Sequence, residues 1–208
     1  MDSAFLITSF VTLFVVIDPI GLTPLFIALT AGTDAQHRRG VAIRSCVIAC
    51  ILLTLFSFLG EGLLGFIGIS MPAFRIAGGI LLFLTALDML FERRTKRRED
   101  QTETEDFPDP SVFPIAIPLL AGPGAIATII LLTGQADDVM GKLSVLGVMA
   151  VVISIALVLF LSAGVIERAL GKTGITVVTR LLGMLLAALS VQFVLDGLRD
   201  FGFAGGAG

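Results

Sequence analysis

Continuous apolar sequence at bilayer length constrains this chain more than any other feature. Six runs, approximately Ala4 to Thr30, Val41 to Gly60, Pro72 to Phe91, Val112 to Thr133, Leu143 to Ile166 and Val177 to Leu198, approach or exceed a bilayer crossing. Such a crossing takes roughly 20 residues as a helix. With 56% hydrophobic and 15% charged residues, the chain has too little polar surface for a soluble domain of this size. A membrane β-barrel would alternate polar and apolar positions in short segments, whereas these runs are unbroken. The expectation is an all-α, polytopic membrane protein of six transmembrane helices, with lipid as its surroundings.

Charge placement sets the topology. Five of the 14 Lys and Arg residues crowd into "RRTKRR", residues 93 to 98. A basic run can mark nucleic-acid binding, but this one abuts a membrane segment and reads as a topology signal. With the N-terminus outside, the cytoplasmic loops hold Arg38, Arg39, Arg93, Arg94, Lys96, Arg97, Arg98, Arg168 and Lys172, against Lys142 and Arg199 on the outer side. The positive-inside rule then places both termini outside. The opening "MDSAFLITSF" has no basic n-region and carries Asp2, so no cleavable signal is expected. The segment "ERRTKRREDQTETEDFPDPS" runs basic, then acidic, and reads as a solvated linker over 93–110. The Gly-rich end, 201–208, reads as a flexible tail.

The chain also repeats itself. "GLTPLFIALT" (Gly21 to Thr30) aligns with "GAIATIILLT" (Gly124 to Thr133) at an offset of 103. "FRIAGGILL" (Phe74 to Leu82) aligns with "TRLLGMLLA" (Thr179 to Ala187) at an offset of 105, matching Arg75 to Arg180 and Gly78 to Gly183. Two three-helix units follow, residues 1–92 and 111–200. Three is odd, so the second unit starts on the opposite side of the membrane. The halves are expected to be inverted repeats, a recurrent architecture of secondary transporters.

Helix breakers fall at matching places in the two units. The first helix carries "DPIGLTP" with Asp18, Pro19, Gly21 and Pro24; the fourth carries "AGPGAI" with Gly122, Pro123 and Gly124. Proline removes a donor and clashes with the preceding turn. In lipid, freed backbone groups must be satisfied by protein, water or ligand. Helices 1 and 4 are therefore expected to be discontinuous near mid-bilayer. Each new helix start offers N–H groups and partial positive charge to an anion, and the carbonyls before each break suit an ammonium or a cation. Asp18 fits an N-cap before Pro19, and it also fits a ligand for an amine, a proton or a cation. The second unit has Ala121 in its place, so only one copy supplies an acid. Thr23 and Thr128 lie just inside the two helix starts, where a hydroxyl meets either a small polar ligand or its own helix. Gly183 and Ala187 read as helix packing. Arg75 and Arg180 read as interfacial anchors, or as gates paired with Glu61 or Glu167. Cys46 and Cys50 share one apolar run, which suits small packed residues and not a thiol pair meeting across the halves. His37 lies in a polar loop, and no catalytic metal or protease motif is present, so no enzyme is expected.

"DPIGLTPLFIALT" and "AGPGAIATIILLT", in a six-helix chain of this length, resemble the MarC family of bacterial and archaeal inner-membrane proteins, which includes small neutral amino acid transporters of the SnatA type. The resemblance covers the chain from the first helix to the sixth. Where the family commonly has Asn after the first Gly of D-P-I-G-N-x-P, this chain has Leu22. The resemblance implies a multi-pass transporter of a bacterial or archaeal cell membrane. Its substrate would be a small zwitterion of the glycine or alanine class, moved by alternating access. The site carried over would comprise Asp18, Pro19, Gly21, Thr23, Pro24, Gly122, Pro123 and Gly124, with Thr128 beside it. No cofactor is implied beyond a coupling proton or sodium ion. An ion or small-solute channel is the alternative, because the same helix dipoles select ions.

Overall fold

The computed structural model describes residues 3–91, 109–136 and 138–202. Most of the expected linker over 93–110 and most of the tail over 201–208 lie outside them. The described residues form helices and no strand: α1 (Ser3–Ile17), α2 (Pro19–Leu29), α3 (Ala35–Ile67), α4 (Met71–Leu90), α5 (Ser111–Leu120), α6 (Pro123–Gly134), α7 (Val139–Leu161) and α8 (Ala163–Asp200). Ser3–Leu29 counts as one candidate span across Asp18. Ser111–Leu120 and Pro123–Gly134 form a pair bent by 54°, giving up to six spans in all.

Capping residues set where these helices begin. Asp34, Ser70 and Asp138 each accept a hydrogen bond from a backbone N–H three residues on, starting α3, α4 and α7. The capped start at Asp34 makes α3 33 residues long, about 50 Å, so it exceeds the expected Val41 to Gly60 at both ends. His37, Arg38 and Arg39 occupy its first turns, where a membrane helix emerges into the headgroups. α7 stops at Leu161, short of the expected Ile166. Gly171, at φ 61°, interrupts α8 and leaves Thr173–Asp200 as the span.

Ion pairs at the helix ends fix which ends lie together. Arg44 of α3 meets Asp109, just before α5, at 3.1 Å. Hydrogen bonding from Ser111, ahead of the Arg44 charge, holds the Asp109 carboxyl below its usual range against desolvation. Beside this pair Asp34, Gln36, His37, Gly40 and Arg44 line a surface hollow of about 400 Å³. At the opposite end Lys142 of α7 meets Glu61 of α3 at 3.5 Å, and Arg75 of α4 pairs with Asp200 of α8. The spans therefore alternate in direction. Arg75 does not meet Glu61, the gate considered from sequence: α3 runs on to Ile67, and Glu61 engages α7 instead.

The most extensive helix contact joins α4 to α8, and glycines line it. A Cβ on Gly79 would stand 2.8 Å from the Ser190 carbonyl oxygen and 2.8 Å from Val194. A Cβ on Gly183 would stand 3.3 Å from the Ala86 carbonyl oxygen and 3.4 Å from Leu90. The same offset of 104 carries Gly79 to Gly183, Ala86 to Ser190 and Leu90 to Val194, so each contact is the other with its partners exchanged. Outside this packed interior the large apolar side chains are exposed, among them Ile51, Phe58 and Phe66 of α3, Val158 of α7 and Leu181 and Leu185 of α8. On a water-soluble surface that much exposed apolar area would be a liability; in a bilayer it faces lipid.

Candidate functional site

Asp18 joins α1 to α2 and is 1% exposed. It sits in the left-handed region at φ 53°, the only non-glycine residue to do so among the described residues. Aspartate is one of the few residues that tolerate this conformation, since its short side chain bonds locally. Here Oδ1 accepts from the Gly21 N–H at 3.1 Å and caps α2, with Pro19 in the first helical position. The backbone ladder crosses the junction: Asp18 donates to Phe14 at 2.9 Å and receives from Leu22 at 3.0 Å. The interruption is thus confined to the groups that proline removes. Pro19 and Pro24 leave the carbonyls of Val15 and Ile20 without their usual donors four residues on.

The other carboxylate oxygen of Asp18 lies over Gly21. A Cβ on Gly21 would stand 2.1 Å from Oδ2 and 2.9 Å from the Thr179 hydroxyl of α8. Thr179 is therefore part of the site, although sequence reading used it only to align the repeats. Gly21→Ala is expected to drive the Asp18 carboxylate off its cap, lowering the melting temperature in detergent and removing ligand binding together. Unchanged binding by this variant would mean that the carboxylate position is unimportant.

The second break is built differently. α5 is a wide-turned segment in which Ile115 and Ala121 donate to the carbonyls five residues back, at 3.2 and 2.8 Å. Phe113 and Ile117, each before a proline, are extended, and both Phe113–Pro114 and Ile117–Pro118 are cis. The sequence reading placed its break at Gly122 to Gly124 and overlooked Pro114 and Pro118. α6 then starts at Pro123 behind Gly122, with no side chain capping it. A Cβ on Gly122 would stand 2.4 Å from the Pro118 carbonyl oxygen, so only glycine makes this turn. A Cβ on Gly124 would stand 3.3 Å from Val16, two residues before Asp18. The two breaks are thus neighbours.

The threonines divide. Thr23 donates to the Pro19 carbonyl at 2.9 Å, so its own helix engages it. Thr30 and Thr133, matched by the repeat, do the same to Phe26 and Ile129 at 2.7 and 2.8 Å. Thr128 is 0% exposed, and its hydroxyl has no partner among the described residues; the same is true of Ser9 and Thr12 on α1. Each such group costs about 1–3 kcal/mol when left unsatisfied. Toward the end of the molecule that holds Asp34, Phe26 of α2 stacks on Phe160 of α7 with centroids 4.6 Å apart, and the Arg38 guanidinium lies over Phe26 at 5.4 Å.

The profile described as MarC family integral membrane protein matches residues 3–201. The chain belongs to the MarC family. Relatives of this MarC chain include a UPF0056 membrane protein of Archaeoglobus fulgidus, 40% identical over 95% of this chain and 93% of the relative. UPF0056 membrane protein MJ1677 of Methanocaldococcus jannaschii is 36% identical over 96% of this chain and 98% of its own length. UPF0056 inner membrane protein YhgN of Escherichia coli K12 is 33% identical, covering 93% and 96%. No solved structure matches. Family and fold together make this chain a multi-pass integral membrane protein.

Proposed function

We propose that this MarC chain is a secondary transporter of a small neutral amino acid, of the glycine or alanine class, bound between the α1–α2 junction and the α5–α6 elbow. The observation that carries this reading is the unequal pair of helix starts. α2 begins with its own carboxylate, Asp18, while α6 begins uncapped beside it. A zwitterion complements both at once: its carboxylate takes the N–H groups and positive end of α6, and its ammonium takes Asp18 with the carbonyls of Val15 and Ile20, whose usual donors four residues on are prolines. The copy that lacks an acid, with Ala121 in that position, is the copy that receives one from the substrate.

The reciprocal α4–α8 contact and the matched Thr30 and Thr133 bonds support reading the halves as inverted repeats. Alternating access would then rock these halves around the central site. The stacked Phe26 and Phe160, with Arg38 above, would close one route to it. Lys and Arg counts favour that closed face as the cytoplasmic one.

Proteoliposomes loaded without substrate are expected to take up labelled glycine and alanine with saturation. Ion conductance in the absence of saturable uptake of any small amino acid would replace the transporter reading with a channel.

A further inference from the structure

Membrane-buried hydroxyls in this protein usually bond to a carbonyl of their own helix, as Thr23, Thr30 and Thr133 do. Ser9, Thr12 and Thr128 do not, and none has another hydrogen-bond partner among the described residues although each is 0% exposed. Three such exceptions in one place call for a ligand.

Register places them together. The alternating spans make α1 and α6 antiparallel, and Val16 of α1 lies 3.3 Å from where a Cβ of Gly124 on α6 would stand. Thr12 is one turn before Val16 on the same face, and Thr128 is one turn after Gly124 on the same face. Antiparallel packing therefore sets Thr12 opposite Thr128. Ser9, three residues before Thr12, continues that face. The cluster stands six residues from Asp18 along α1, about 9 Å, too far for a small amino acid at the two breaks to fill it.

The donor set selects the ligand. Hydroxyls do not titrate near neutral pH, so the cluster cannot itself carry a proton. It contains no carboxylate, and among the described residues no group of three His, Cys, Asp or Glu could hold a metal. The charge of a divalent ion would therefore be unmatched. Neutral hard oxygens suit a small hard cation of single charge. We propose that Ser9, Thr12 and Thr128 hold a sodium ion between α1 and α6, with water completing its shell. As a coupling ion it rests on the transporter reading; as a bound ion it does not.

The test uses the purified full chain in detergent without amino acid, melted in sodium, potassium or choline chloride at equal ionic strength. Sodium alone is expected to raise the melting temperature by several degrees, increasingly with concentration, as linkage requires. Thr12→Val and Thr128→Val should each abolish the increment, while Thr12→Ser, which keeps the oxygen, should retain it. Should a valine variant not fold, Ser9→Ala supplies the same comparison with a smaller change, and labelled-sodium binding to the native chain reads the ion directly. Equal melting in all three salts would overturn the proposal and leave ordered water between the hydroxyls. A sodium increment that survives the substitutions would overturn the location. Because no amino acid is present, either outcome is separable from failure of glycine and alanine uptake.

Discussion

Asp18→Asn is expected to keep the fold and lose uptake by about 100-fold. Asparagine tolerates the left-handed conformation at this junction, and its amide oxygen can still accept the Gly21 N–H that Oδ1 receives at 3.1 Å. The cap therefore survives, and the melting temperature in detergent should move little. What disappears is the negative charge, buried at 1% exposure beside Gly21 and Thr179. A hydrogen bond to a charged partner contributes about 1.5–3 kcal/mol, and each 1.4 kcal/mol is tenfold in affinity, which sets the expected loss. Asp18→Ala removes cap and charge together and leaves a residue unsuited to positive φ, so it should also destabilise by about 1–2 kcal/mol. Full uptake by Asp18→Asn would reduce Asp18 to a cap and leave the substrate ammonium without its partner.

Phe160→Ala should produce the largest loss of stability. Phe160 and Phe26 are each 1% exposed and stack with an interplanar angle of 5°. Truncating a buried phenylalanine typically costs about 3–5 kcal/mol through lost contacts and the cavity left behind, and a lost aromatic pair adds to this. For a chain of this length each kcal/mol shifts the melting temperature by about 2–4 °C, so a drop near 10 °C is expected in detergent. If these rings also close one route to the site, liposomes carrying the variant should leak preloaded glycine down its gradient faster than native ones. Phe160→Leu refills part of the volume and should recover most of the stability. A drop below about 2 °C for the alanine variant would show that the stack supports little.

Much of this architecture was legible in the residues, for reasons that differ by element. The spans announce themselves because lipid demands apolar side chains on every outward face. The junction at Asp18 and the turn at Gly122 were legible because proline and glycine restrict or free the backbone wherever they stand. The ends of α3 were not: the polar turn behind Asp34 looks like loop, and at the other end Gly60, Gly62 and Gly65 look like helix breakers. The irregular course of α5 was missed because Pro114 and Pro118 sit in an apolar run that satisfies hydropathy either way. Thr179 was illegible for a deeper reason: it reaches Gly21 across most of the chain, and no local pattern encodes that contact. Ser9 and Thr12 were passed over because a hydroxyl in a membrane helix normally bonds to its own backbone. Only packing reveals the ones that do not.

The glycine contact between α4 and α8 also bears on how the protein holds together. Gly79 and Gly183 each lean on the other helix's backbone, so neither half holds the surface that completes it. In a bilayer the face of α4 that carries Gly79 stays open to lipid unless α8 packs on it, so the span Thr173–Asp200 is the piece that locks α4 in place.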